Sequence, residues 1–436
     1  MSEKFWLWLK RHKTEIFIFL LAFGLRFLYA IFVLLFFGEH GFIAHSDAFS
    51  FYLRGAENLI NHRIFSLNIS PPYTSDAYRM PLYTFFVAGF LLLKLPLFWI
   101  IFVQNIMAGF ISVFIYRIGR LLGFSHGVNL FAAILTALEP ASIYWNNLLM
   151  SDYLFTFLFV LSCYYFFLKR YYIFALILGL ATLTRPTSLY FLPLFLFLMI
   201  FEDWKIWKSW FHLPWRQIVI TILIFLAVLF PWLLRNKIVF DTWQLTSASW
   251  YNLYDILVQK FADAEGFQLS YPIPPSNYPN LETFTRDFMN VPFYKNHFFE
   301  IVKERPLAYL QFHTTLAIKS RLINYYQYLA DYVLKPKIPN LFLGFLGTSV
   351  YFLTALGWFF WVIVYVLMLV SLFYKRQRAY SIIFLAMVGI IMFTAGSTGA
   401  FGADGSRFII PLQPFMFLFA GLGFHLMIVK ATKWTT

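Results

Sequence analysis

Charged side chains are scarce in this sequence, at 12% of 436 residues, and acidic ones are the scarcer kind: 20 Asp or Glu against 34 Lys or Arg. Soluble domains carry roughly 25% charged residues, so the composition excludes an ordinary soluble domain. The single cysteine, Cys163, lies in an apolar run. An intramolecular disulfide is therefore excluded. No internal repeat, P-loop or low-complexity tract is evident.

Apolar residues take the place of the missing charge. They make up 61% of the chain, and Phe alone occurs 57 times, with 27 Tyr and 14 Trp. This composition indicates an integral membrane protein with lipid-facing helices and interfacial aromatic belts. In such a protein Lys and Arg set the orientation of the helices. We therefore read the net charge of +14 as a topology signal and expect no nucleic-acid partner.

The first predicted span is Ile16–Phe37, which follows a basic N-terminal segment and is interrupted only by Arg26. It is long enough to cross a bilayer, and no small-residue cleavage site follows it. The N-terminus is therefore predicted to be cytoplasmic. A charge in the middle of a span normally faces the interior of a bundle, and we expect this of Arg26.

Alternation of apolar runs and basic loops predicts an all-α polytopic membrane protein of about ten helices with both termini in the cytoplasm. The short cytoplasmic loops and tails carry more Lys and Arg than the short external pieces, as the positive-inside rule requires. The expected location is the cell inner (plasma) membrane. Pro81–Leu95 is short for a span, and whether it crosses fully is left open.

Three parts follow from this map. Residues 1–234 form an N-terminal transmembrane module whose first external loop is 38–80. Residues 235–340 form a long external insert, partly helical. Residues 341–436 supply the C-terminal transmembrane helices.

The first external loop carries the polar residues that suggest chemistry. Asp47 comes first, Tyr52 follows in an amphipathic run, and the loop closes on Arg79 before Pro81-Leu82-Tyr83. A carboxylate at a membrane surface with arginines nearby suits an anionic partner. Two plainer interpretations remain open, namely a solvated loop and an Asp47 that only caps the following helix.

Other charged residues fall on the same predicted external side: Asp152, Arg185 and Arg407. Transfer of an activated sugar to a hydroxyl needs a carboxylate that accepts the proton and cations that hold the leaving phosphate. Asp47 suits the first role, and the arginines suit the second, because a guanidinium binds phosphate oxygens bidentately. Alternatively, each arginine is an interfacial anchor and Asp152 is an N-terminal helix cap.

An ordered set of short motifs runs from residue 47 to residue 423. The motifs are Asp47-x4-Tyr52, Arg79-x-Pro81-Leu82-Tyr83, Pro140 through Ser151-Asp152-Tyr153-Leu154-Phe155, Ala181-Thr182-Leu183-Thr184-Arg185-Pro186, Pro231-Trp232-x-x-Arg235-Asn236 and Arg407-Phe408-x-x-Pro411-Leu412-x-Pro414. Taken together they resemble the membrane glycosyltransferases of the GT-C superfamily. The similar branch contains protein mannosyltransferases and aminoarabinose transferases, as in glycosyltransferase family 39.

This resemblance implies a GT-C-type bundle that moves a sugar from a polyprenyl-phosphate donor with inversion, in the cell envelope and at the external (periplasmic) face. It implies that Asp47 is the catalytic base and that Asp152 matches the second acidic position, near the donor or a metal. Five more residues would bind substrate, namely Tyr52, Arg79, Tyr83, Arg185 and Arg407. Many relatives carry a second acidic residue where this chain has Ala48. Many also carry Glu where this chain has Asp152. The chain also lacks their large C-terminal domain, which favours a lipid or glycan acceptor over a protein.

No cofactor is certain. His45 and Asp47 could ligate a divalent cation together with Asp152, and such a site suits Mg or Mn. A solvated or hydrogen-bonded His45 is the plainer alternative. Two other functions also remain open: a transporter or flippase of a lipid-linked sugar, and a non-catalytic assembly protein.

Overall fold

A computed structural model describes residues 3–76, 78–202, 215–269, 288–322, 340–375, 378–397 and 407–434. That part of the chain is all-helical and contains no strand, so the predicted all-α class is confirmed. The α-helices, in chain order, are α1 Glu3–Phe37, α2 Arg54–His62, α3 Pro81–Leu92, α4 Leu97–Leu121, α5 His126–Leu138, α6 Pro140–Asn146, α7 Ser151–Phe167, α8 Tyr171–Thr184, α9 Leu192–Glu202, α10 Trp215–Phe240, α11 Ala248–Tyr251, α12 Gln259–Glu265, α13 Val291–Glu304, α14 Pro306–Leu322, α15 Asn340–Ser371, α16 Arg378–Ser397 and α17 Gln413–Trp434.

Three segments of the described chain are long and apolar enough to cross a membrane: Leu9–Ile43, Leu97–Leu121 and Trp215–Phe240. The pair α5 and α6, bent by 53°, makes a fourth if it is one broken span. Large apolar side chains such as Leu35 and Leu223 are exposed on these helices, which lipid contact would favour. The predicted count of about ten crossings stays a prediction.

The bundle is centred on α4, which packs against α1, α5 and α7. Helix α8 packs against α7 and α10, and α17 packs against α5 and α15. Their facing side chains form one large buried cluster.

Prolines break two apolar stretches, because proline lacks the backbone N–H that continues a helix. The sequence Arg185-Pro186 predicts the break at Pro186, whereas the break at Pro140 interrupts the predicted membrane segment Val128–Tyr144. The last carbonyls of α5 are left without partners inside the helix. Arg26 satisfies two of them: its Nη1 donates to Ala137 O at 2.9 Å and its Nη2 to Thr136 O at 3.1 Å. Arg26 is buried, as predicted, and its charge stabilises a broken helix.

The apolar runs of the sequence predict spans over Ile218–Leu234 and Phe408–Val429, and one boundary of each differs in the structure. Helix α10 does not end at Leu234 but continues to Phe240, because its polar residues find partners there: the Asn236 amide bonds Gln244 O at 2.8 Å. The last helix begins at Gln413 and not at Phe408. Residues that precede a proline avoid helical backbone, so Pro411 disfavours an earlier start, whereas Pro414 stands in the first turn, where proline is tolerated.

The described part of the insert is a small helical unit with an aromatic core. Tyr251, Tyr254, Phe261 and Tyr294 are buried in it, together with Tyr78 from the first loop. The insert is therefore packed directly on the segment that carries Arg79.

Candidate functional site

The carboxylate of Asp47 lies between two arginines that are far apart in the sequence. Its Oδ1 is 3.2 Å from Nη2 of Arg79, and its Oδ2 accepts a hydrogen bond from Nη2 of Arg407 at 2.7 Å. Asp47 directly precedes the π-helix Ala48–Leu53, but its side chain makes no capping hydrogen bond. The helix-cap interpretation of Asp47 is therefore wrong.

These neighbours control the charge of Asp47. Burial by itself raises the pKa of the carboxyl, but the charges of Arg79, Arg407 and His45 outweigh it, and the pKa lies well below its usual range. Asp47 is consequently ionised at neutral pH. In this state it is also a weak base, since both oxygens face guanidinium groups.

Two hydrogen bonds hold the backbone segment that leads into Arg79. Its N–H donates to Oδ2 of Asp76 at 3.0 Å, and the carbonyl of Asp76 accepts from Nη1 of Arg235 at 2.9 Å. The Arg79 guanidinium lies 3.9 Å from the ring centre of Phe51 and 4.8 Å from that of Tyr78. The Trp232-x-x-Arg235 motif thus anchors the loop that presents Arg79.

A second ion pair joins Arg185 to Asp152. Nη2 of Arg185 is 2.8 Å from Oδ1 of Asp152, a side chain with no solvent exposure. The N-cap of α7 is Met150, which makes no side-chain cap, so Asp152 is not the helix cap. Nε of Arg185 donates to Oγ of Ser151 at 3.1 Å, and that hydroxyl also pairs with the hydroxyl of Tyr52 at 2.8 Å.

Tyr83 lies one layer behind the site. Its hydroxyl donates to Oε1 of Gln104 at 2.7 Å, and its ring packs edge-on against Tyr52, 4.8 Å between centres. Tyr83 does not line the cavity described below. Its contacts support the ring of Tyr52.

The three candidate metal ligands are each engaged by other groups. Nδ1 of His45 accepts from the backbone N–H of Asp47 at 3.0 Å, and its Nε2 is 3.4 Å from Nη1 of Arg407. Asp47 and Asp152 face arginines. Across the described residues, no three His, Cys, Asp or Glu side chains lie together as a metal site. Metal use stays a prediction.

A cavity of about 540 Å³ brings these groups together. Six of the residues predicted from sequence line it, namely His45, Asp47, Tyr52, Arg79, Arg185 and Arg407, whereas Asp152 does not. The insert supplies a further set of lining residues that was not predicted: Thr246, Ala248, Asn252, Ile256 and Lys260. Apart from Asp47, the charged side chains on the lining are cations, so the cavity suits an anionic ligand.

In comparisons with known proteins, the chain matches no protein-family model and no curated protein at significant similarity. The function is therefore inferred from the geometry of the cavity. Five of the six sequence motifs contribute residues to the lining, namely Asp47, Arg79, Ser151, Arg185 and Arg407, whereas the motif of Trp232 and Arg235 does not.

Proposed function

We propose that the chain is an inverting glycosyltransferase of GT-C type. It moves a sugar from a polyprenyl-phosphate donor to a hydroxyl of a lipid or glycan acceptor, at the external face of the membrane. The observation that supports this proposal best is the Asp47 carboxylate between Arg79 and Arg407 on the wall of one cavity. That arrangement joins a proton acceptor to two phosphate-binding groups.

In the proposed reaction, the acceptor oxygen attacks the anomeric carbon from the face opposite the phosphate. Asp47 takes the hydroxyl proton as the new C–O bond forms. The bond between the anomeric carbon and the phosphate oxygen breaks, and its electron pair goes to that oxygen. The product polyprenyl phosphate gains negative charge, which Arg79, Arg407 and Arg185 would stabilise.

The low pKa of Asp47 has a role in this scheme. While the arginines pair with Asp47, the carboxylate is a poor base. A donor phosphate competes for the same guanidinium groups, and their partial withdrawal raises the pKa of Asp47 towards its ordinary value. The base is thus activated when the donor is bound.

Several finer features belong to the same proposal. These are the GT-C arrangement of about ten helices, the periplasmic location of the cavity and cytoplasmic termini in the cell inner membrane. The prediction of a divalent cation, Mg or Mn, held by His45, Asp47 and Asp152 also belongs to the proposal. Chelation in the assay below tests it.

The assay uses purified protein in lipid vesicles with a panel of polyprenyl-phosphate sugars and a lipid extract as acceptor. We expect release of polyprenyl phosphate together with a glycosylated acceptor. A flippase would instead move the intact donor between leaflets without release, and an assembly protein would do neither. Arg26, which lies in the middle of the first span, donates hydrogen bonds to helix carbonyls and so does not favour the transport alternative.

A further inference from the structure

One face of an insert helix forms the second wall of the cavity. Ala248, Asn252, Ile256 and Lys260 all line it, and they follow one another at steps of four. The backbone runs from α11 through the π-helix Asn252–Val258 into α12. Steps of four keep side chains on one helix face, so a single continuous surface looks across the cavity.

The opposite face of the same run is committed to the core of the insert. Tyr251, Tyr254, Leu257, Val258 and Phe261 are buried there. The four cavity-facing residues are only half-buried, and Ala248 and Ile256 also pack against this core. The packing of these apolar residues fixes the rotation of the helix. Its cavity face is therefore presented by a rigid element and not by a loose loop.

The near end of this wall is tied to the arginine cluster. The hydroxyl of Tyr78, next to Arg79, donates to Oδ1 of Asn252 at 3.0 Å. Oγ1 of Thr246 donates to the carbonyl of Tyr78 at 2.7 Å. Lys260 follows Asn252 by eight residues and therefore stands about two helical turns further along the run. One phosphate held by Arg79 and Arg407 covers only the near end.

Lys260 is the charged residue of this wall, since the other three positions are alanine, asparagine and isoleucine. Burial lowers the pKa of its ammonium group, and a partly desolvated cation gains from an anion brought into the cavity. Ile256 beside it offers an apolar contact. In chain order the wall thus presents a small, a polar, an apolar and a cationic position.

We propose that this insert wall is the acceptor subsite and that Lys260 binds an acidic group, a phosphate or a carboxylate, on the acceptor. The proposal rests on the proposed function, because it assigns the donor phosphate to the arginines. The acceptor hydroxyl would then point towards Asp47, with Ile256 against the apolar part of the acceptor. The substrate class becomes an acidic glycolipid or phospholipid carrying a free hydroxyl.

The test compares matched pairs of amphiphiles that differ only in charge, with the protein in nanodiscs. One pair is alkylglycerol phosphate and alkylglycerol, and the other is alkyl glucuronide and alkyl glucoside. We expect the protein to prefer at least one acidic member. Lys260→Gln, which removes the charge, should weaken binding of that acidic member about ten-fold or more without changing the neutral one, and Lys260→Arg should restore it.

Binding of polyprenyl phosphate to the same samples distinguishes the role of the arginines from the role of the insert wall. Arg407→Ala should weaken its binding strongly, and Lys260→Gln by less than two-fold. Equal losses for both variants would make Lys260 a donor-phosphate ligand and overturn the acceptor assignment. Equal binding of acidic and neutral amphiphiles would overturn it as well. If neither Arg79→Ala nor Arg407→Ala affected polyprenyl phosphate, the proposed function itself would fail.

Discussion

Asp47 accepts its 2.7 Å hydrogen bond from Arg407, a residue 360 positions later in the chain. This bond joins the first loop to the segment that precedes α17. Both groups line the cavity, and each is the other's charge partner. Any anion that binds Arg407 therefore changes the properties of Asp47, and most of the predictions below use this coupling.

The first prediction concerns Asp47→Asn. The amide keeps the size of the side chain but cannot take up a proton at neutral pH, so sugar transfer should fall by about 10²–10⁴-fold. Polyprenyl phosphate should bind as well as before or more tightly, because Arg79 and Arg407 lose a competing carboxylate. Turnover and binding are measured separately. Asp241→Asn, at an exposed acid outside the cavity, is the control, and near-normal transfer by Asp47→Asn would remove the proposed base.

The second prediction concerns the two arginines on Asp47. Arg79→Ala and Arg407→Ala should each weaken binding of polyprenyl phosphate by about 10- to 100-fold, since a hydrogen bond to a charged group contributes roughly 1.5–3 kcal/mol. Titration of polyprenyl phosphate measures this. Arg170→Ala, at an exposed arginine between α7 and α8, should change nothing. Normal binding by both cavity variants would make the arginines surface anchors.

The third prediction concerns the pair Arg185 and Asp152, for which the structure predicts a stability effect. Arg185→Ala leaves the fully buried Asp152 carboxylate without its cation, and such a loss typically costs about 3–5 kcal/mol. Its melting temperature should therefore drop well below that of Arg407→Ala. The double variant Arg185→Ala with Asp152→Asn should recover most of the loss. If the melting temperature of the double variant fell by the sum of the two single losses, the two side chains would not be coupled.

The fourth prediction is a pH dependence. The pKa of free Asp47 lies below the usual 3.8, so the base is ionised at any pH above about 4 and kcat/KM should show no acid limb there. In the donor complex the arginines are shared with the phosphate, the pKa of Asp47 rises, and the acid limb of kcat should lie at higher pH. The two profiles report the free enzyme and the complex respectively. In Arg407→Ala the acid limb of kcat/KM should itself move to higher pH. Coincident limbs in the unsubstituted protein would contradict the exchange of partners.

The same pKa shift has a consequence for stability. Because the folded-state pKa of Asp47 is lowered, its ion pairs stabilise the fold above the unfolded pKa of about 3.8. That contribution is lost as the pH falls from there towards the folded pKa. Asp47→Asn should accordingly narrow the stability difference between neutral and acidic pH, as measured by thermal unfolding.

The fifth prediction is topological. A cysteine at the exposed position of His62 should react with an impermeant thiol reagent in intact cells, because loop 38–80 is predicted to be external. Arg170→Cys, on a predicted cytoplasmic loop, should react only after lysis. The native Cys163 is buried and should contribute little background. Labelling of position 62 only after lysis would invert the topology; Asn277, a second predicted external position, lies outside the described residues.

The sequence by itself determined the helical class, the break at Pro186 and the residues most suited to bind an anion. These properties are local. Apolar runs predict helices because buried backbone must bond internally, a proline such as Pro186 removes a backbone N–H that would continue a helix, and a rare charge in an apolar chain is conspicuous. Asp47, Arg79, Arg185 and Arg407 could be singled out on those grounds alone.

Only the tertiary structure decided which of these charges meet. Asp47 forms ion pairs with Arg79 and Arg407, whereas Asp152 forms one with Arg185. The insert wall that ends in Lys260 was missed, because steps of four in a helix describe a buried face as well as a cavity face. The physical reason is one of range: helix periodicity reports neighbours within a few turns, whereas these contacts form when the packed bundle brings distant segments to one cavity.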